Sequence, residues 1–265
     1  MRAALRTSRV MIETSYAMMI EYRSEIFLWC LAGVMPFILM GLWAQASASG
    51  AFGIDELGFV RYFFAVFLVR QLTVVWVVHE FEMEVVQGHL SSRLLQPIDP
   101  VWRHAAAHVA ERFARAPLLL VLIVLFFVLY PKAFWVPGWR EAALFLLATL
   151  ASLFLRFIMQ YCEAMLAFWT ERAAAISQLS FLVQMALSGS IAPLEVYPPL
   201  VRELAMLTPF PYLIYFPARL LVGPADAMGP VWRGFVVMAV WFVAMLLLNR
   251  VLWRVGIKRY SGMGA

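Results

Sequence analysis

Charged residues are scarce in this chain of 265 residues, in which Asp, Glu, Lys and Arg together make up 14% of the sequence. Soluble globular domains carry roughly 25% of these residues. Hydrophobic residues account for 64%, and the mean hydropathy is +0.82. This balance excludes an ordinary water-soluble domain and predicts an integral membrane protein.

Cysteine is also scarce, with only Cys30 and Cys162. Both fall in apolar stretches without motif spacing, which excludes a disulfide framework and a cysteine zinc site. We interpret them as small buried hydrophobes. The chain has no Gly-Lys pair. It therefore lacks the G-x-x-x-x-G-K-[ST] loop that holds nucleotide phosphates.

Catalytic and metal-binding patterns are missing too. No Ser-His-Asp, paired-carboxylate or nucleophile-elbow arrangement stands out, so we predict no catalytic residue. His104, His108 and Glu111 could share a helical face, but a zincin needs His-Glu-x-x-His, whereas this stretch has three alanines between its histidines. We therefore predict no metal site.

Long apolar stretches are what the chain does contain, and crossing a bilayer core of about 30 Å takes about 20 helical residues. Six stretches qualify: Ile26–Ala44, Tyr62–Val78, Ala116–Tyr130, Ala142–Thr170, Ala173–Ala192 and Val231–Trp253. A helical run from Trp102 extends the third stretch backwards. We predict an all-α fold with six transmembrane helices over residues 26–253.

A seventh apolar segment, Leu204–Ala218, is broken by Pro209, Pro211 and Pro217. Each proline removes a backbone donor and disturbs the preceding turn. We predict a short re-entrant or interfacial segment between spans five and six on the outer side, which requires protein to cover its backbone.

The first 25 residues are charged and lack the apolar run and cleavage site of a signal peptide. Their apolar positions, including Val10, Met11, Met18 and Met19, suit an amphipathic helix. We predict that residues 1–25 form a cytoplasmic helix on the membrane surface. Residues 254–265 are predicted to form a cytoplasmic tail.

Basic residues set the orientation of the spans. With the N-terminus in the cytoplasm, 13 of the 21 Lys and Arg residues fall inside, five fall outside and three lie in or beside spans. An even number of spans puts both termini on one side, and both ends are basic. We predict two cytoplasmic termini. The excess of basic residues on the predicted cytoplasmic side explains the net charge of +5. We therefore predict no nucleic-acid partner.

A charged connector of 37 residues, His79–Arg115, joins the second and third spans and holds all four histidines. Its centre reads Glu84-Val-Val-Gln-Gly88-His-Leu90-Ser-Ser-Arg-Leu94-Leu95-Gln-Pro97, and a helix into the third span follows. This pattern resembles the coupling segment, here residues 80–100, of type-2 ABC exporter permeases.

Two other segments resemble the same family. The stretches Leu187–Pro193, Pro198-Pro199 and Leu207–Tyr212 are similar to the proline-marked segment between its fifth and sixth spans. The tail Lys258-Arg259-Tyr260-Ser261-Gly262 is similar to the end of a bacterial subfamily often encoded in pairs beside a separate ATPase. The resemblance covers nearly the whole chain in span order.

The resemblance implies an exporter permease of the bacterial inner membrane that forms half of a translocation pathway. Its expected partners are an ABC ATP-binding subunit, a second permease copy or related permease, and membrane lipid. This chain would hold no cofactor, because the partner ATPase would bind ATP and magnesium. The expected substrate is a hydrophobic or amphipathic compound, or else a lipid-linked or saccharide product. The implied coupling residues are Glu84, Gly88, Leu90, Leu94, Leu95 and Pro97.

The residues of the coupling segment suit this role. Val86, Leu90 and Leu94 repeat at four-residue spacing and predict one apolar stripe that could enter a groove of a partner. Gly88 permits a sharp turn, and Pro97 ends the helix. The alternative is an ordinary cytoplasmic loop whose amphipathic helix lies on lipid.

Polar residues also occur inside the predicted spans. Arg70 lies near the middle of span two, and Arg156, Gln160 and Glu163 share one face of span four. An arginine at mid-depth costs roughly 2.5–3.5 kcal/mol, so these side chains should face protein or water. In a structural interpretation, Glu163 neutralises an arginine. In a functional one, Arg70 and Arg156 line the translocation path and favour an anionic or zwitterionic headgroup.

A secondary transporter or channel is the rival interpretation, with Arg70, Arg156 and Glu163 as ion or proton sites. Such proteins often contain an internal repeat with broken helices at matching positions. The two halves of this sequence differ in loop length and proline pattern. A membrane-embedded enzyme is a third interpretation, disfavoured by the missing catalytic arrangement.

Overall fold

A computed structural model describes residues 2–21, 24, 27–28, 31, 33–47, 50, 52–223 and 229–260. These residues form helices and turns, and none of them belongs to a β-strand. The α-helices are α1 (Arg2–Glu21), α2 (Met35–Ser47), α3 (Glu56–Thr73), α4 (Val77–Val86), α5 (His89–Leu94), α6 (Pro100–Leu129), α7 (Trp139–Ala164), α8 (Ala173–Leu187), α9 (Pro199–Leu207), α10 (Phe210–Leu213), α11 (Tyr215–Val222) and α12 (Val231–Gly256). The predicted all-α class is confirmed.

Several parts of the described chain are long and apolar enough to cross a membrane. They are Glu56–Val86, Pro100–Leu129, Trp139–Phe168 and Val231–Gly256. These four overlap predicted spans two, three, four and six, so a multi-pass membrane protein is confirmed. In the first and fifth predicted spans, α2 has 13 residues and α8 has 15. Part of the first predicted span lies outside the described residues.

The second predicted span, Tyr62–Val78, is wrong as one continuous helix. Val74 is extended, with φ −60° and ψ 139°, and separates α3 from α4. The break is stabilised from α6, where Arg112 Nε donates to the Leu72 carbonyl over 3.2 Å and the Arg112 guanidinium donates to the Val74 carbonyl. A distant side chain therefore satisfies carbonyls near the break, and periodicity could not predict it.

The central helix of the fold is α3, which packs against α2, α7 and α11. Tyr62, Phe63 and Phe67 on it are at most 1% exposed. Phe64 stacks on Phe126 of α6 with 4.3 Å between ring centroids. Burial on several sides explains why α3 is apolar around most of its circumference, since a helix surrounded by protein needs no polar face.

The third long helix, α6, runs without interruption from Pro100 to Leu129. The Asp99 carboxylate caps its start by accepting from the Val101 N–H over 3.1 Å, and Pro100 occupies the first turn, where no backbone donor is needed. Pro117 lies inside the helix. One rod therefore joins the coupling segment to the third predicted span.

The proline-broken segment Leu204–Ala218 forms parts of three short helices, α9 to α11, with breaks at Thr208 and Ile214. Protein covers its backbone. Ser152 Oγ donates to the Tyr212 carbonyl over 2.6 Å, and the Tyr215 N–H donates to the Ser188 carbonyl over 3.0 Å. These contacts with α7 and the end of α8 supply the predicted cover, and the placement of the segment relative to the membrane stays a prediction.

The turn after α8 depends on Gly189, whose φ of +80° suits glycine alone. Its carbonyl accepts a 2.7 Å hydrogen bond from the Tyr62 hydroxyl. A Cβ added there would lie 2.7 Å from that hydroxyl and 2.8 Å from Tyr215 Cβ. The turn, α3 and α11 therefore meet with no room for a side chain.

We expect Gly189→Ala to lower the free energy of unfolding by about 2–3 kcal/mol, because backbone strain and overpacking add. SDS titration of the purified chain in mixed micelles measures this loss. Gly41→Ala is the matched control, since nothing lies within 4 Å of a Cβ added at this helical position. A loss at Gly189 no larger than that at Gly41 would contradict the described turn.

The N-terminal helix α1 packs along α6. Ser15 is buried and Met11, Ile12 and Met19 are partly buried, at spacings that form one helical face. On α1, the Arg9–Glu13 ion pair is exposed. Met11 and Met19 of the predicted apolar face therefore contact protein, whereas Val10 and Met18 are exposed. The placement of α1 on the membrane surface stays a prediction.

Candidate functional site

The coupling segment, residues 80–100, consists of the end of α4, a turn, helix α5 and a return into α6. Gly88 has φ +76° and begins α5, which ends at Leu94. Pro97 is exposed in the connection between α5 and α6. The left-handed conformation of Gly88 reverses the chain within two residues, which explains why the sequence has glycine there.

The predicted apolar stripe of this segment is wrong at Leu90. Leu90 is 0% exposed and packs in a cluster that includes Phe81 and Phe168. The surface instead carries Leu95, which is 89% exposed, and Leu94, which is 38% exposed. Leu90 therefore fixes α5 to its own chain, while Leu94 and Leu95 form the apolar tip.

Two polar contacts hold α5 in place. Arg93 of α5 forms an ion pair with the buried Glu84 of α4. Ser91 Oγ lies 3.0 Å from Tyr260 Oη in the C-terminal tail. The predicted tail motif thus contacts the coupling segment through Tyr260, while its last residues, 261 and 262, lie outside the described part of the chain.

Five acids and histidines of α4 and α6 form one group, here called the acid–histidine cluster: Glu80, Glu84, His104, His108 and Glu111. His104 Nδ1 lies 3.4 Å from Glu80 Oε2, and its Nε2 lies 3.5 Å from Glu84 Oε2. His108 Nδ1 lies 3.4 Å from Glu111 Oε2. The cluster joins the helix before the coupling segment to the helix after it.

Arginines neutralise the acids of this cluster. Arg115 pairs with Glu111, and both side chains are 6% exposed. Arg112 Nη1 lies 3.1 Å from Glu111 Oε2. These ion pairs offset the cost of burying the Glu111 charge and link the network beneath α5. Some polar atoms of the network have no hydrogen-bond partner among the described residues, namely Glu84 Oε2, His104 Nε2, His108 Nε2 and Arg115 Nε.

No group of three or more His, Cys, Asp or Glu side chains within the described residues is arranged to hold a metal ion. His104 and His108 meet acids of α4 instead. The part played by Glu80 was missed by the sequence analysis. A signal was present, because Glu80 and Glu84 repeat at the same four-residue spacing as the two histidines.

The second group of predicted site residues lies between α7 and α8. Arg156, Gln160 and Glu163 of α7 line a cavity of about 20 Å³ together with Ser177 and Ser180 of α8. Glu163 accepts hydrogen bonds from Ser177 Oγ over 2.8 Å and from Ser180 Oγ over 2.5 Å. The structure therefore brings these three polar residues of α7 together.

The structural interpretation predicts that Glu163 neutralises Arg70 or Arg156, and the structure shows a different arrangement. Within the described residues, neither Arg70 nor Arg156 forms an ion pair with Glu163. Arg156 is 7% exposed, and its Nε and Nη2 have no hydrogen-bond partner. Arg70 lies close enough to Arg156 for their charges to repel. The predicted Arg–Glu pair is wrong in this structure.

The fold thus defines a multi-pass helical membrane protein with a rigid polar segment between two of its long helices. Residues 25–264 match the family model described as ABC-2 family transporter protein. The chain belongs to this family and is a permease component of an ABC transporter. Comparison with curated proteins gives no match.

Proposed function

We propose that the chain is the membrane half of an ATP-driven exporter and that its coupling segment docks a separate ATP-binding subunit. Leu95 carries this proposal, since it is an apolar side chain that is 89% exposed at the tip of an otherwise anchored segment. Leu94, 38% exposed, lies next to it, and two adjacent exposed leucines on an anchored segment suit a protein contact better than a single exposed leucine would.

The anchoring suits force transmission as well as docking. The ion pair of Arg93 with Glu84 holds α5 against α4. The contact of Ser91 with Tyr260 holds α5 against the C-terminal tail. Leu90 fills the core beneath. A displacement of the tip therefore moves α4, α6 and the tail together, because the contacts between them are buried or paired.

The energy source is proposed to be the partner. The chain has no phosphate-binding Gly-Lys loop, so ATP and magnesium would bind the other subunit. A second permease copy, or a related permease, would complete the pathway. In this arrangement both termini are cytoplasmic, the chain lies in the bacterial inner membrane, and the substrate is a hydrophobic or amphipathic compound.

Co-purification tests the proposal directly. The tagged permease, expressed with its chromosomal neighbours and extracted in mild detergent, should retain an ATP-binding protein. Reconstituted vesicles should then transport a fluorescent amphiphile only when ATP and magnesium are supplied on the side of the ATP-binding protein. Transport driven by an ion gradient without nucleotide would instead support the secondary transporter.

A further inference from the structure

The cavity between α7 and α8 contains a buried positive charge without a counter-charge bonded to it. Arg156 is 7% exposed, and two of its three guanidinium nitrogens have no hydrogen-bond partner. A buried, unpaired cation is strongly destabilising, so natural proteins give it an anion. The arginine therefore points to a ligand that supplies negative charge and hydrogen-bond acceptors.

The charges around Arg156 leave a positive surplus. Arg70 and Arg112 both act on it by repulsion, but Arg112 is already paired with Glu111. The side chain of Arg70 has no ion pair or hydrogen bond within the described residues. Glu163 faces the same cavity, with its carboxylate taken up by the two serines of α8. Two free arginines against one carboxylate leave one positive charge.

We propose that Arg156 forms an anion site that takes the negatively charged oxyanion head of an amphiphile, and that the nearby Arg70 adds positive charge without lining the cavity. Guanidinium groups bind phosphate and carboxylate oxygens through two parallel hydrogen bonds, and Arg156 has two free nitrogens for this purpose. Gln160 lines the same cavity, and its amide can donate to the remaining oxygens. The inference deepens the proposed export function by naming the chemistry of the substrate.

The position of the site suits loading from the side of the coupling segment. Arg156 lies eight residues, about 12 Å, before the end of α7 at Ala164. Arg70 lies three residues, about 5 Å, before the end of α3 at Thr73. Both helices end toward the cluster that contains Leu90. An amphiphile whose head enters there can keep its tail along the apolar, largely exposed α8.

The cavity is too small for a head group in this structure, since about 20 Å³ holds roughly one water molecule. A head group can enter once α8 moves away from α7. The hydrogen bonds of Glu163 with Ser177 and Ser180 oppose this movement. An arriving anion would repel Glu163 and attract Arg156, so its charge favours the opening that admits it.

Binding to the purified full-length permease in neutral detergent tests the site without the ATP-binding subunit. Three probes separate the contribution of the anionic head from that of the apolar tails: dihexanoyl phosphatidic acid, the uncharged dihexanoylglycerol and inorganic phosphate. Titration calorimetry should show that phosphatidic acid binds at least about tenfold more tightly than dihexanoylglycerol or inorganic phosphate. Phosphatidic acid alone combines an anionic head with apolar tails. Equal affinity for inorganic phosphate or for dihexanoylglycerol would overturn the proposal.

Variants assign the binding to the two arginines. Arg156→Gln and Arg70→Gln should each weaken phosphatidic acid binding at least about fivefold, whereas Arg156→Lys, which keeps the charge, should lose less. Arg250→Gln in α12 is the matched control, since Arg250 is exposed and remote in sequence.

Wild-type binding by both Arg156→Gln and Arg70→Gln overturns the site. If Arg156→Gln does not fold, Arg70→Gln decides, because Arg70 is only partly buried. Failure here leaves the co-purification result untouched, so the two proposals fail separately.

Discussion

Replacing Leu95 by aspartate should leave the permease folded and remove most of its binding to the ATP-binding subunit. Leu95 is 89% exposed, so the change costs the fold little. In a complex, the new carboxylate would lose its water against an apolar groove. We expect binding at least about tenfold weaker, with a matching loss of ATP-driven transport. Biolayer interferometry on the permease in nanodiscs and vesicle transport measure the two effects.

Two other leucines give the controls for this experiment. Leu200 in α9 is 68% exposed but lies in the segment proposed to be on the outer side, so Leu200→Asp should bind the ATP-binding subunit like the wild type. Leu90→Asp should fail in a different way, by loss of folded protein, because Leu90 is 0% exposed. Undiminished binding by Leu95→Asp would place the docking surface elsewhere.

Replacing Glu111 by glutamine should lower the free energy of unfolding by about 3–5 kcal/mol, the usual effect of removing one partner of a buried ion pair. Glu111 pairs with Arg115, and both side chains are 6% exposed. It also contacts Arg112 and His108. Glutamine keeps the shape but carries no charge, so Arg115 is left buried without its counter-charge. SDS titration in mixed micelles measures the loss.

Glu171→Gln provides the comparison for this variant, since Glu171 lies exposed in the turn between α7 and α8. Its effect should stay within about 0.5 kcal/mol. A Glu111→Gln loss as small as that of Glu171→Gln would show that the acid–histidine cluster is solvated and does not stiffen the base of the coupling segment.

Features whose causes are local could be predicted from the sequence. Four of the six long apolar runs overlap described segments that are long and apolar enough to cross a membrane. Gly88 lies at the sharp turn before α5, and Pro209 lies where Leu204–Ala218 first divides into short helices. The fifth predicted span, Ala173–Ala192, extends too far, since the helix ends at Leu187.

Features that depend on a distant contact could not be predicted. The spacing of Leu90 and Leu94 identifies an apolar face, but it does not say whether the same chain or a partner covers it. Leu90 is covered by residues including Phe168, which lies in another part of the chain. Glu163 is bound by serine hydroxyls of α8 rather than by an arginine, and the sequence spacing on α7 contains no information about that neighbour.

The length of α6 has a mechanical consequence. Its 30 residues make a rod of about 45 Å. Its first half is clamped to α4 by the acid–histidine cluster, and Phe126 near its far end stacks in the aromatic core. If α6 tilts by about 10° about Pro117, its Pro100 end shifts by about 4 Å and its Leu129 end shifts by about 3 Å in the opposite direction. Such a tilt would carry a movement of the coupling segment into the aromatic core around Phe126.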